Sequence, residues 1–281
     1  MHKVTHEIRD PIHGFIHIDD QERDVLDSSA VQRLRNIYQL ATTYLVYPGA
    51  THKRFEHSLG VMELATRIFD IVTAEVNIHP EMRQRVPELV DKDGLRYWRR
   101  ALRMAALCHD TGHLPFSHAA DRELLPGGWD HERLTVEVVK SPEMESIWKG
   151  MTPPLRSEDI AKLAVGQEEL PEVRFSAWEA LMAELIVGDS FGADRMDYLL
   201  RDSHHAGVAY GKFDHFRLVD TLRILPSQTE ASQGAPYLGT EKGGLHSAEA
   251  LLLARYFMFT QVYFHPVRLA YDLHLADFLK E

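Results

Sequence analysis

Cysteine is nearly absent from this chain. The single Cys108 in 281 residues excludes an internal disulfide framework and a cysteine-ligated zinc site. No apolar run approaches the roughly 18 residues that a membrane-spanning helix needs, and no signal-peptide core follows Met1-His2-Lys3. Positive charge is in deficit: 31 Lys+Arg against 42 Asp+Glu leave a net charge of −11. That balance argues against a general nucleic-acid coat or a basic membrane binder and ranks nucleic acid last among partners, with only the Arg33/Arg35 region suited to a strand. Neither a Walker A pattern nor GxGxxG occurs, and Gly-x-Ser-x-Gly is missing too. Cys108 sits in an apolar helical run and reads as structural, not as a nucleophile. The chain is therefore expected to be a protein of the reducing cytoplasm without membrane contact, and its chemistry, if any, to be metal-assisted hydrolysis.

What is present is core material and histidine. Hydrophobic residues make up 44% of the chain, and 17 histidines supply both metal-ligating nitrogens and near-neutral proton carriers. At roughly 150 residues per domain the length leaves room for two domains, but no linker, repeat or low-complexity tract divides it. A hairpin is expected from Glu7-Ile8-Arg9 and Phe15-Ile16-His17-Ile18 around the turn Asp10-Pro11-Ile12-His13-Gly14. Helical spacing follows over Val25 to Leu40, with Ser28 or Ser29 as an internal N-cap, from Ser58 onward, and over Trp98 to Cys108, with Gly112 as a stop signal. Residues 79 to 95 read as a loop or short helix. Further helices are expected over Ser176 to Val187, Ser190 to His204, and His246 to about Phe264, with Pro266 as a kink or break. The class is mostly α, with small hairpins at the N-terminus and near 225–245.

Chemistry concentrates after the Trp98–Cys108 run. His109 and Asp110 stand at a helix end, where neighbouring side chains can converge on one ion, and imidazole plus carboxylate suits Fe, Mn, Zn or Mg. A C-terminal cap is the alternative for an isolated pair. Here His113, His118, Asp121, His131 and Glu132 follow closely, too many titratable groups for an ordinary solvated surface. His57 opens the second helix. Asp194, Tyr198 and Asp202 recur at helical spacing with Arg195 and Arg201 beside them, while Met196, Leu199 and Leu200 take the other face. A phenol between two carboxylates on one stripe suits a ligand pocket better than a solvated face.

The order His57, His109-Asp110, Asp194 resembles the ligand set of the HD phosphohydrolase superfamily. Longer stretches resemble its deoxynucleoside triphosphate triphosphohydrolase branch: Asp10-Pro11-Ile12-His13-Gly14, Gln32-Arg33-Leu34-Arg35, Tyr47-Pro48-Gly49-Ala50, Arg54 to Val61, Leu107 to His118, His131-Glu132 and Asp194 to His205. The resemblance implies that the whole of 1–281 is one HD catalytic core. Residues 1–45 form its N-terminal hairpin and helix, 46–205 the metal-site core, and 206–281 the pocket-closing helices, expected either to be cut before a further C-terminal region or to end a compact member of the family.

It also implies a divalent ion (Fe, Mn, Mg, Zn or Ni) on His57, His109, Asp110 and Asp194. His118 with Asp121, and His131 with Glu132, are implied as acid/base pairs. Arg54, His113 and Arg195 are implied as phosphate contacts, Arg195 standing where the family usually has lysine. Tyr198 and Asp202 would face the sugar, Gln39 and Leu40 the ribose and base, and Arg255 and Tyr263 the far wall, with Phe259 where vertebrate members carry histidine. Asp27, Gln32 and Arg35 match regulatory-nucleotide positions, and the family implies a homo-oligomer. The implied reaction is dNTP plus water to deoxynucleoside plus triphosphate. A nucleotidase, a phosphodiesterase and a non-catalytic nucleotide sensor are the competing readings.

Overall fold

Hydrophobic periodicity of about 3.6 residues dominates this chain, and the backbone follows it. The computed structural model describes residues 5–227 and 235–280, and at position 118 the backbone alone. Strands β1 (Thr5–Asp10) and β2 (Gly14–Asp19) form the expected antiparallel hairpin, with Ile8 opposite Ile16 and Asp10 opposite Gly14. Gly14 turns the chain at φ +82°, where a side chain would be strained.

The run expected as one helix over Val25 to Leu40 is broken into three pieces. Helix α1 (Asp20–Leu26) starts at an Asp19/Glu22 capping box. Helix α2 (Ser29–Gln32) starts anew because the Ser28 hydroxyl accepts the Val31 amide, and a 3-10 turn (Arg33–Asn36) follows.

Helix α3 (Arg54–Val72) begins a turn before Ser58, and the stretch expected as loop or short helix contains α4 (Pro80–Arg85) and a 3-10 turn (Pro87–Val90). Helix α5 (Lys92–Cys108) starts ahead of Trp98 because Asp91 caps it. It ends at Cys108, so Gly112 is not its stop. Gly112 instead lies where a Cβ would come within 2.0 Å of the His131 carbonyl, a close approach that only glycine allows.

Four short helices come next: α6 (His118–Leu124), α7 (His131–Val139), α8 (Pro142–Gly150) and α9 (Ser157–Val165). The expected helix at 176–187 is α10 (Ala177–Val187), started by a Ser176/Glu179 capping box. The one expected over 190–204 is α11 (Ala193–Ala206), closed by Gly207 at φ +72°.

Helix α12 (His215–Thr221) leads into β3 (Leu222–Pro226), which pairs antiparallel with β4 (Pro236–Thr240) as the second expected hairpin; residues 228–234 between them lie outside the described part. Helix α13 (Leu245–Met258) runs into a π turn (Phe259–Tyr263). Pro266 then opens α14 (Pro266–Lys280), a first-turn position that tolerates its missing N–H, so it starts a helix and does not kink one.

The architecture is mostly α with two small hairpins. Helices α3 and α5 pack against each other, α11 lies on α3, and α9 and α10 cover α5. One cluster of buried apolar side chains runs from Ile16 to Val262, with Trp148 and Trp178 among its largest members. Cys108 belongs to it, and burial pushes its thiol up to about 12, which keeps it unreactive. No helix among the described residues is long and apolar enough to cross a membrane.

A candidate metal centre

Three helices aim their ends at one point. His57 comes from the first turns of α3, His109 and Asp110 follow α5 directly, and Asp194 lies in the first turn of α11. His57 Nε2 stands 2.9 Å from Asp194 Oδ1 and 3.8 Å from Asp110 Oδ2. His109 Nε2 stands 3.5 Å from Asp110 Oδ1 and 3.6 Å from Asp194 Oδ1. Donors about 2.1 Å from a common ion lie about 3.0–3.5 Å from one another; His57, His109 and Asp110 offer atoms all within 4.8 Å of one another, and Asp194 Oδ1 adjoins both imidazoles.

Tautomers agree with that arrangement. His109 Nδ1 is 2.7 Å from the Ala106 carbonyl, and an acceptor there fixes the proton on Nδ1. Nε2 is buried and has no hydrogen-bond partner among the described residues. His57 Nδ1 likewise faces Asp197 Oδ2 at 2.8 Å. A buried nitrogen without a partner carries a desolvation cost that a cation would remove. Burial disfavours charge on His57, but hydrogen bonds to Asp194 and Asp197 outweigh it and raise its pKa to about 10. Asp194 and Asp110 are both held below the carboxylate range against the effect of burial, Asp194 by His109 and His57, Asp110 chiefly by the Arg54 guanidinium at 2.6 Å. Two ionised carboxylates and two imidazoles leave a divalent ion near neutrality.

Beside this set lies a second group. His113 Nδ1 is 2.8 Å from Asp121 Oδ2, and its Nε2 is 3.4 Å from Asp110 Oδ1. His131 stacks on His113 with ring centroids 3.7 Å apart, and its Nδ1 is 2.9 Å from Glu132 and 3.8 Å from Asp121. Asp121, expected beside His118, thus holds His113; the His118 side chain lies outside the described residues. Helix α5 does not continue to His113. The turn after Asp110 brings it round instead, its amide bonded to the Asp110 carbonyl. Burial first, then Arg54, lowers the His113 pKa and favours the neutral ring.

The stripe on α11 turns inward. Asp202 is 1% exposed, with Oδ1 accepting from His52 Nε2 at 2.7 Å and Oδ2 from the Tyr263 hydroxyl at 2.7 Å. Tyr198 meets Tyr263 edge-on at 6.0 Å. Arg195 bonds Asp189 at 2.7 Å, and Arg255 lies over the Phe259 ring at 5.6 Å. Gln39 and Leu40 are half-buried, the Gln39 amide donating to the His52 carbonyl. Asp27, Gln32 and Arg35 bond within their own segment: Asp27 to Arg23, and Gln32 to the Leu26 carbonyl and Arg35.

Sequence reasoning did not find Asp197, His13 or His52 as site residues. Arg201, read there as flanking the ligand stripe, is fully buried between Asp197 and Asp10. A cavity of about 540 Å³ opens from His109, Asp110 and Asp194 and is walled by Glu132, Glu168, Glu169, Glu184 and Asp189. Its carboxylates disfavour a bare polyanion.

Two other histidines tie this region to pH. Burial, His52 and His204 lower His205 to about 4 from 6.5, and burial, His13 and Arg67 do the same to His215. The unfolded chain therefore binds protons that the folded chain refuses between pH 6.5 and 4. Stability from this source is complete above 6.5 and lost as pH falls toward 4. Below 6.5 the raised His57 is protonated in both states and does not offset the loss. In metal-free protein the urea midpoint is expected to drop steadily from pH 6.5 to 4.5; a flat or rising midpoint would contradict the burial assigned to these rings.

Known proteins supply an independent comparison. The sequence matches the HD domain over residues 54–199 and the HD associated region over 213–272. An uncharacterised Methanocaldococcus jannaschii protein is 37% identical over 98% of this chain and 49% of its own length. The human deoxynucleoside triphosphate triphosphohydrolase SAMHD1 is 34% identical over 79% of this chain and 37% of its own. The chain thus spans about half or less of these relatives. A hypothetical protein from Aquifex aeolicus superposes with a TM-score of 0.77 at 35% identity, over 98% of this chain and 64% of that one. A phosphohydrolase from Bacteroides thetaiotaomicron does so at 0.74 and 28%, over 98% and 58%. With the match spanning all four candidate ligands and continuing into the associated region, the chain belongs to the HD-domain family.

Proposed function

We propose that this chain is a metal-dependent phosphohydrolase that converts a deoxynucleoside triphosphate and water to deoxynucleoside and inorganic triphosphate. The observation that carries the reading is the convergence of His57, His109, Asp110 and Asp194, with the buried His109 Nε2 lacking a hydrogen bond. Identity to SAMHD1 over most of the chain supports the substrate class. A divalent ion on those four residues would supply Lewis acidity at the α-phosphate. Arg54 would place its positive charge beside the phosphates, with Arg195 as a further contact. His131, backed by Glu132 at 2.9 Å, would donate the proton to the departing 5′-oxygen, and His113, held by Asp121, would position a phosphate oxygen. His118 belongs to this acid/base group by resemblance. Tyr198, Asp202 and Tyr263 would line the sugar side, Gln39 and Leu40 the base, and Arg255 the far wall. A homo-oligomer and a regulatory nucleotide near Asp27, Gln32 and Arg35 belong to the same reading.

One feature favours a second reading, a nucleotidase or phosphodiesterase. Both Asp202 oxygens already accept hydrogen bonds from His52 and Tyr263, so the sugar contact competes with internal partners. Chromatography of products from each of the four dNTPs and from nucleoside monophosphates and cyclic nucleotides, with GTP as control and Mg, Mn or Fe supplied separately, separates the two. Deoxynucleoside with equimolar triphosphate is expected. Release of monophosphate or single phosphates would overturn the triphosphohydrolase reading, and turnover of monophosphates or cyclic nucleotides alone would establish the second.

A further inference from the structure

Asp197 accepts four hydrogen bonds beside the candidate metal centre, on the side of His57 opposite the nitrogen that faces Asp194 and Asp110. Its Oδ2 accepts from His57 Nδ1 at 2.8 Å and from Arg201 Nε at 2.8 Å. Its Oδ1 accepts from His13 Nε2 at 2.6 Å and from Arg201 Nη2 at 3.0 Å. Asp197 and Arg201 are both 0% exposed. The guanidinium continues through Nη1 to Asp10 Oδ2 at 2.8 Å, and Asp10 Oδ1 takes the Ile12 and His13 amides at 2.8 Å each. A single chain of hydrogen bonds thus runs from the turn of the N-terminal hairpin to the far nitrogen of a candidate ligand.

We infer that Asp197 is a positioning residue for the metal centre: it holds the His57 Nδ1–H, so that Nε2 is the nitrogen presented to the ion, and it is itself held by Arg201, His13 and, through them, Asp10. The chemistry admits little else. A carboxylate accepting four bonds has no free lone pair for an ion, and an ionised carboxylate cannot donate, so the proton on the shared bond belongs to His57. The outer partner of a ligating imidazole sets its tautomer and ring orientation, and losing such a partner typically costs about 10–100-fold in metal affinity. His13 and Arg201 then act at a distance, by keeping the carboxylate from rotating, whereas Asp10 meets only the outer nitrogen of Arg201 and leaves all four Asp197 bonds in place. This inference rests on the proposed metal reading for its consequence, but not for the tautomer.

Asp197→Asn tests it in the full chain. The amide offers one acceptor oxygen where four donors converge, so the His57 bond is weakened without a change of size. Titration with Mn(II) or Co(II) is expected to show an affinity about 10–100-fold below the unmutated protein. Asp10→Asn is the control: it damages the same buried network and lowers the melting temperature, but leaves the Asp197–His57 bond, and its metal affinity is expected to stay within about threefold of the parent. Equal affinity for Asp197→Asn and the parent, or equal losses in both variants, would overturn the inference in favour of a purely structural role. Should Asp197→Asn not fold, Asp197→Glu keeps the charge for Arg201 while moving the oxygens by a methylene, and is expected to lose affinity likewise. A metal-independent readout accompanies these. NMR of the metal-free parent should show an exchange-protected His57 Nδ1–H resonance, and its absence would sink the inference. If that resonance is present but the parent binds no divalent ion, the metal reading falls and the positioning bond stands.

Discussion

Replacing His109 by glutamine is expected to reduce phosphohydrolysis by at least about 10³-fold and to empty the site of divalent ion, while the protein stays folded. The magnitude follows from what is lost. Removing a single donor from a preorganised site costs about 10²–10³ in rate, and His109 is one of only four candidate ligands to an ion expected to do more than one hydrogen bond's work. The fold should tolerate the change, because among the described residues the side chain makes one hydrogen bond, from Nδ1 to the Ala106 carbonyl, and its other nitrogen makes none. The double change of His109 and Asp110 to alanine should abolish turnover too, but it is a less clean test. Asp110 neutralises Arg54, which is 4% exposed and whose guanidinium otherwise bonds, among the described residues, the Ser117 hydroxyl. Breaking a buried pair at one end typically costs about 3–5 kcal/mol, so lost activity in that variant mixes chemistry with stability. Rates, metal content and melting temperature measured together on His109→Gln separate the two. Undiminished turnover in folded, metal-depleted protein would refute the proposed chemistry.

How much of this was readable beforehand depends on the range of the interaction. Helices α10 and α11 follow local periodicity, and the sequence pattern places them to within a few residues; α5 ends where expected but starts at Lys92, well ahead of Trp98. The Val25–Leu40 run is a mixed case, its internal cap at Ser28 readable and its division into three pieces not. Its apolar spacing is helical, but the Ser28 hydroxyl offers the Val31 amide an alternative partner and the chain restarts there. Helices α6 to α9 were not anticipated; each is nine residues or fewer, too short for periodicity to outweigh the mixed composition around it. The candidate ligands are legible as residue types, since imidazoles and carboxylates at helix ends are rare enough to notice. Their orienting partners are not. Asp197 and Arg201 sit on the stretch that carries Asp194 and Asp202, and nothing in one-dimensional spacing says that Asp197 faces His13, 184 positions earlier. An aspartate followed four residues later by arginine is an ordinary surface pair on most helices, and only the packing of α11 on α3 turns it into a buried one.

The same packing explains why Gly60→Ala is expected to be among the most damaging single substitutions in the protein. In the middle of a helix, alanine normally stabilises relative to glycine by about 0.5–1 kcal/mol, so propensity predicts a gain. The tertiary contact reverses the sign. A Cβ on Gly60 would lie 2.0 Å from Asp197 Oδ1 and 2.2 Å from Arg201 Nη2, inside the contact distance of any pair of heavy atoms. Neither neighbour can retreat cheaply, because both are fully buried and engaged, Asp197 with His13 and His57, Arg201 with Asp10. Relief requires α11 to move off α3 or the ion pair to break, at a cost of about 3–5 kcal/mol, a large share of the roughly 5–15 kcal/mol by which a domain is stable. Gly150→Ala is the matched control: it ends α8 with nothing within 4 Å of the added carbon, and should leave stability within about 1 kcal/mol of the parent. Urea titrations of the two variants should therefore diverge strongly. Gly60→Ala protein as stable as the parent would show that the α3–α11 contact is looser than the buried network requires, and with it the orientation assigned to His57.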